Sequence, residues 1–265
     1  MSKQNHTMLV VGATGSVGRH VVAEGLRRGY AIRALVRDRQ RAGRVLALAE
    51  TVIGDLTDAR TLDAAVDGID AVVFTHGSNG AAPGPEAVDY GAVRNVLAAL
   101  RGRRIRIALM TAVGVTDRKG AHDWKRRGER LVRASGLPYT IVRPGWFDMN
   151  GDDQHRLVML QGDTRQSGTP ADGVISRAQL ARVLVASLTS EAALNKTFEL
   201  GAETGRQQDD FDGVAAVLAP DVPGLLDGAY DAHNMPALDE PARVRADLDA
   251  VRVAFAPAPA FTGES

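Results

Sequence analysis

Three glycines near the N-terminus, in Gly12-Ala-Thr-Gly15-Ser-Val-Gly18, stand between the apolar run Met8 to Val11 and a stretch with Val21, Val22 and Leu26 at helical spacing. Each glycine has a mechanical task there. Gly12 permits a tight turn, Gly15 lets backbone approach a diphosphate, and Gly18 lets the helix pack close to the strand. The helix start then presents free N–H groups and a positive dipole end, so Thr14, Ser16 and Val17 would line a phosphate site. Without the strand before it and the helix after it, the same motif would be an ordinary turn. Other chemistries have weaker signals. The chain has no cysteine, which excludes disulfides, thiolate catalysis and cysteine-based zinc sites. His122-Asp123 and Asp152-Asp153 with His155 lack a metal-ligand spacing and read as solvated turn residues, so no metal is expected. A GxSxG nucleophile elbow is absent.

The elements that must position the turn follow in regular alternation. Strands are expected at 8–11, 31–36, 51–53, 70–75, 105–110 and 139–143. Helices are expected from Val17 to about Arg28, through Val45 and Leu48, at Leu62 to Val66, from Ala87 to Arg101 and from Trp124 to Ser135. Six or more parallel strands with intervening helices predict a doubly wound α/β Rossmann sheet. After Pro144 a short strand at 157–160, a helix from Arg177 to Leu188 and a strand at 197–200 should form a substrate-side region beyond the strand ends. Residues 1–205 are read as the dinucleotide-binding domain, and 206–265 as a small C-terminal appendage with one helix, Pro241 to Val253, and a disordered tail, PAPAFTGES.

The 32 basic residues balance 32 acidic ones, so no global field draws the protein to nucleic acid or an anionic membrane, and a small, mostly uncharged substrate is compatible. The basic run 101–106, RGRRIR, half caps a helix and half enters a strand. No apolar window is long enough to span a membrane, and cytoplasmic residence is the default expectation. The C-terminal appendage leaves room for a homodimer.

The GxxGxxG spacing, with LVRD (35–38), GDLTD (54–58), VDYGAVRNVL (88–97), WKRRGERLVRASGLPYTIVRPG (124–145) and SRAQLARVLVASL (176–188), resembles the atypical, NmrA-like branch of the short-chain dehydrogenase/reductase superfamily over residues 8 to about 201. The resemblance implies an NAD(P) cofactor. It assigns Arg37 to the adenosine ribose, where a guanidinium suits the 2′-phosphate of NADP and an acidic residue would suit NAD. Arg37 also reads as a solvated arginine, and Asp38 beside it could pair with it or contact a ribose. Asp55 would accept from the adenine amino group with Leu56 against the ring, although an aspartate there also serves as a turn or helix cap. Thr75, His76 and Gly77 would pass the ribose, and Pro144, Gly145, Trp146 and Phe147 would form the loop over the nicotinamide.

The same resemblance places Lys125 at the lysine of the reductases' Tyr-x-x-x-Lys pair and Thr111 at their hydroxyl position. Ala121, not tyrosine, stands four residues before Lys125, so the usual general acid is missing. Three readings stay open: hydride transfer to a small carbonyl or quinone-like compound with another proton donor, His122 or a distant tyrosine such as Tyr90; binding of NADP(H) without turnover, as a redox sensor; and a non-redox isomerase or dehydratase.

Overall fold

The computed structural model describes residues 6–41, 43, 47–78 and 82–257. Strand β1 (Thr7–Val11) carries four fully buried residues in succession, Met8 to Val11, because it has a strand on each edge and helices on each face. β2 (Ala31–Val36) and β4 (Ala71–Phe74) pair with it in parallel, placing Val10 between Ala34 and Val73. β3 (Glu50–Ile53) extends the sheet beyond β2, and β5 (Arg106–Met110) and β6 (Tyr139–Pro144) extend it beyond β4. β10 (Lys196–Glu203) continues the parallel run, and β8 (Arg156–Leu160) closes the edge antiparallel to β10. The order is β3-β2-β1-β4-β5-β6-β10-β8. The winding reverses between β1 and β4, so a crevice opens at their carboxyl ends, where the glycine turn lies.

Two apolar layers hold the sheet. On one face α1 (Gly18–Arg27) and α5 (Arg177–Ser187) pack side by side over Met8, Val10 and Phe198. On the other, α2 (Asp63–Val66), α3 (Gly91–Leu100) and α4 (Ala121–Ala134) cover Leu9, Val11 and Ile107, with α7 (Ala242–Ala254) added through Val244, Leu248 and Val251. No helix among the described residues is long and apolar enough to cross a membrane.

Several elements differ from expectation. Along the helix expected through Val45 and Leu48 the described residues hold a 3-10 turn, Arg39–Arg41, and a turn in which Leu48 is 81% exposed; Val45 lies outside the described residues. The helix expected from Ala87 begins as a π turn, Glu86–Tyr90, before α3. β8 and β10 belong to the main sheet and do not stand beyond it. Outside the main sheet stand instead the 163–172 loop and a two-stranded parallel pair, β7 (Trp146–Phe147) with β9 (Val174–Ile175). α6 (Phe211–Ala216), capped by Asp210, has too short an apolar pattern to be read in advance. The tail from Ala258 lies outside the described residues. In the basic run, Arg103 donates to the carbonyls of Ala99 and Leu100 at the end of α3, and Arg101 Nη2 donates to Asp63 Oδ2 at 2.7 Å. Arg106 is spent on the carbonyls of Ser187 and Ser190.

The C-terminal segment is tied to α4 by charge. Arg126, Arg130 and Arg133 recur on one face of α4, with Arg127 beside them, and meet Asp221, Asp227 and Glu240 of the returning chain. Arg143 of β6, with no exposed surface, joins Glu129, Glu199 and Asp231 to the same network. Five guanidinium groups thus face six carboxyl groups, which leaves one carboxyl without an equivalent cation. Glu199 fits that role, since burial pushes it up to about 7 against the pull of Arg143. A raised carboxyl stabilises the fold below its unfolded pKa of roughly 4.3, and that contribution is lost as pH rises through 7. The Glu199→Gln variant should therefore gain roughly 1–3 kcal/mol over the parent between pH 5 and pH 8, read by urea denaturation at both values. An unchanged difference would show that Glu199 is ionised throughout.

Candidate functional site

The glycine turn is built by close approach. Gly12 has φ +86°, and a Cβ on it would stand 2.9 Å from the His76 nitrogen at the end of β4. A Cβ on Gly18 would stand 2.0 Å from the Gly12 carbonyl oxygen, so α1 starts hard against the turn. The Gly15 N–H donates to the Gly12 carbonyl at 2.9 Å and closes the turn. Thr75 Oγ1 donates to the Val11 carbonyl at 3.0 Å, pinning β4 to β1 at the crevice.

In front of the turn a cavity of about 820 Å³ runs across the strand ends. One end is lined by Arg37, Asp55 and Leu56, the middle by Gly12, Thr14, Gly15, Ser16 and Val17, and the far side by Thr75, His76, Gly77, Thr111, Lys125 and Pro144 to Phe147. Of the residues that the sequence reading tied to the cofactor or the reaction, all line this cavity except Gly18, which packs behind it, Asp38 and Tyr90. The size lies in the range of dinucleotide and drug-sized ligand sites, and the turn leaves no side chain where a diphosphate would approach. The site fits a dinucleotide.

At the end lined by Asp55, Arg37 is exposed and has no hydrogen bond or ion pair among the described residues; Asp38 instead accepts from the Gln40 N–H at 2.8 Å. Asp55 Oδ1 accepts from both Thr57 N–H and Thr57 Oγ1 at 2.8 Å, and these bonds, with the Arg37 charge, hold its carboxyl below the usual range.

The far side, lined by Thr111 and Lys125, departs from the usual reductase pattern in several ways. Thr111 Oγ1 donates to Glu129 Oε1 at 2.7 Å, so its proton is committed to a buried carboxylate and the hydroxyl faces the cavity as an acceptor. Lys125 Nζ donates to Asp89 Oδ1 at 2.7 Å, and Ser78 Oγ donates to Asp89 Oδ2 at 2.6 Å. His76 is buried, and burial followed by the Lys125 charge pulls its imidazole down to about 4, so the ring is neutral at neutral pH. Its Nδ1 has no partner among the described residues. Tyr90 is no proton donor here, because its hydroxyl donates to Asp247 Oδ2 at 2.7 Å, toward α7 and away from the cavity. None of the four tyrosines lines the cavity. His122 does. Its Nδ1 meets the Gly114 carbonyl at 2.8 Å and must donate there, which leaves Nε2 without a partner among the described residues.

Sequence reading missed Asp89, Asp117, Lys119, Gln166, Asp172 and Arg177. Asp117 lies 3.7 Å from His122 Nδ1 and pairs with Lys119 at 2.9 Å. Asp172 accepts from Ser167, Gly168 and Thr169 and shapes the loop that brings Gln166 to the cavity; the capping box at Thr169-Pro-Ala-Asp172 was its available signal. Arg177 Nε donates to Ser16 Oγ at 3.1 Å, and its guanidinium lies 4.9 Å from the Phe147 ring centre.

The family described as NAD(P)H-binding matches residues 12–191. Protein TIC 62, chloroplastic, of Oryza sativa subsp. japonica is 31% identical over 77% of this chain, which spans only 47% of that protein. The chain therefore spans about half the length of that relative. Sanguinarine reductase of Eschscholzia californica is 26% identical over 79% of this chain and 95% of its own. Among solved structures, an anaerobillin reductase from Escherichia coli O157:H7 superposes with TM-score 0.60 at 22% identity, covering 74% of this chain and 96% of that one, a likeness of fold.

Proposed function

We propose, from the premise that this chain belongs to the NAD(P)H-binding family, that it is an NmrA-like, atypical short-chain reductase using NADP(H) to reduce a small carbonyl or quinone-like compound. The observation that supports turnover is the extent of the cavity. It continues past Thr111 and Lys125 to His122, Trp146, Gln166 and Asp172, leaving substrate-sized space beside a candidate proton donor. A pure sensor needs no such space.

In this reading the glycine turn holds the diphosphate, Arg37 the 2′-phosphate, and Asp55 with Leu56 the adenine. Lys125, steadied by Asp89, donates to the nicotinamide ribose; Thr75 to Gly77 pass along the ribose, and Pro144 to Phe147 cover the nicotinamide. Thr111 accepts a hydrogen bond from the ligand and cannot polarise a carbonyl by donation. His122, in the form in which both ring nitrogens carry a proton, delivers the Nε2 proton to substrate oxygen and keeps Nδ1–H on the Gly114 carbonyl. NADPH, when bound, supplies the hydride. A small molecule is the partner this site calls for, nucleic acid and membrane having no part; the protein is cytoplasmic, and a homodimer is compatible.

Calorimetric titration with NADPH and NADH, followed by stopped-flow oxidation of bound NADPH against aldehydes, ketones and quinones, tests the proposal. Tight NADPH binding with oxidation by one class supports it. Tight binding without oxidation transfers the weight to the sensor, and absence of binding overturns it. In the same titration Arg37→Ala should weaken NADPH by about 10- to 100-fold and leave NADH within about twofold. Equal weakening would remove the assignment to NADP.

A further inference from the structure

Arg177 opens α5, immediately after Ser176, whose side chain accepts from the Gln179 N–H and caps the helix. A cation at a helix N-terminus opposes the helix dipole, which is positive at that end. Here the conflict is doubled. Arg177 Nε donates to Ser16 Oγ, one residue before the Val17 N-cap of α1, so two helix N-termini and a guanidinium converge on the glycine turn. The one carboxylate in contact with Arg177 among the described residues is Asp148, which accepts from its main-chain N–H at 2.9 Å and from Nη1.

The guanidinium is held in place. Nε is fixed by Ser16, Nη1 by Asp148, and the plane lies against Phe147; Ser16 and Phe147 both line the cavity. Nη2 has no hydrogen-bond partner among the described residues, and the arginine side chain keeps 29% of its surface exposed. A pinned fork with free donors, set where positive potential accumulates, is complementary to a dianion.

We propose that Arg177 is a diphosphate clamp: its free guanidinium N–H groups, held beside Ser16 and Phe147 of the cavity wall, donate to the diphosphate of the dinucleotide lying on the glycine turn. The inference rests on the reading of the cavity as a dinucleotide site. It also explains why α5 carries a cation at its first position, and it links the loop of Trp146 and Phe147 to cofactor binding, because the clamp stacks on Phe147.

The test titrates the parent protein, Arg177→Gln and Arg177→Lys with NADPH, with NADH and with adenosine 2′-monophosphate, which lacks the diphosphate. Arg177→Gln should weaken whichever dinucleotide binds by tenfold or more and change adenosine 2′-monophosphate by less than twofold, and Arg177→Lys should recover part of the loss. Arg37→Ala, in contrast, should weaken both NADPH and adenosine 2′-monophosphate. Unchanged dinucleotide affinity in Arg177→Gln overturns the clamp while leaving the cofactor reading intact. Equal loss for both ligands also overturns it, since it would mean that Arg177 only supports the loop. A parent protein that binds neither dinucleotide overturns the clamp and the reading together.

Discussion

Exchange of His122 for Asn is expected to lower kcat for substrate reduction by about 10²- to 10⁴-fold while NADPH affinity stays within about twofold. The argument is one of elimination and geometry. Ala121 occupies the tyrosine position, Tyr90 is turned to Asp247, Thr111 has given its proton to Glu129, and His76 is held neutral by burial. Of the two histidines on the cavity wall, each with a ring nitrogen that has no partner among the described residues, His76 is buried and neutral, which leaves His122, and the Gly114 carbonyl sets which of its nitrogens faces no partner. Asparagine can keep a hydrogen bond to Gly114 but carries no transferable proton. Stopped-flow oxidation of NADPH bound to the variant separates the outcomes: a rate equal to the parent's would remove His122 from the reaction.

Replacing Arg143 by Met should destabilise the protein by about 3–5 kcal/mol, measured as a lowered urea midpoint at unchanged slope. Arg143 has no exposed surface, and its fork donates to both Glu129 carboxylate oxygens, at 3.0 and 2.7 Å, and to both Asp231 oxygens at 2.7 Å. Met fills most of the volume and leaves two carboxylates buried with reduced compensation. Because Glu129 accepts the Thr111 proton, the same variant should also disturb the cavity wall, and NADPH should bind less tightly even below the unfolding transition. A loss under 1 kcal/mol would mean that the carboxylates reach water or other cations.

The sequence alone was sufficient for the parallel sheet, its strands being short apolar runs with turns at regular intervals, and for the glycine turn that lines the cavity, because a glycine turn between strand and helix is a local feature. Arg37 and Asp55 were placed by resemblance just past strand ends, which a doubly wound sheet gathers along one edge, and Lys125 in the helix that follows β5; all three line the cavity. The tertiary structure decided what depends on contacts across the chain. Whether Thr111 donates or accepts rests on Glu129, eighteen residues away, and whether Tyr90 reaches the cavity rests on Asp247, 157 residues away. From Gln207 onward the helix read from Pro241 to Val253 was legible through its apolar period and stands at Ala242–Ala254, whereas the stretch before it is anchored by guanidinium and carboxylate pairs, which leave little apolar period to read. Arg177 looked like any helix-surface arginine until α5 was laid beside α1, for a charge acquires its meaning from what the fold brings against it.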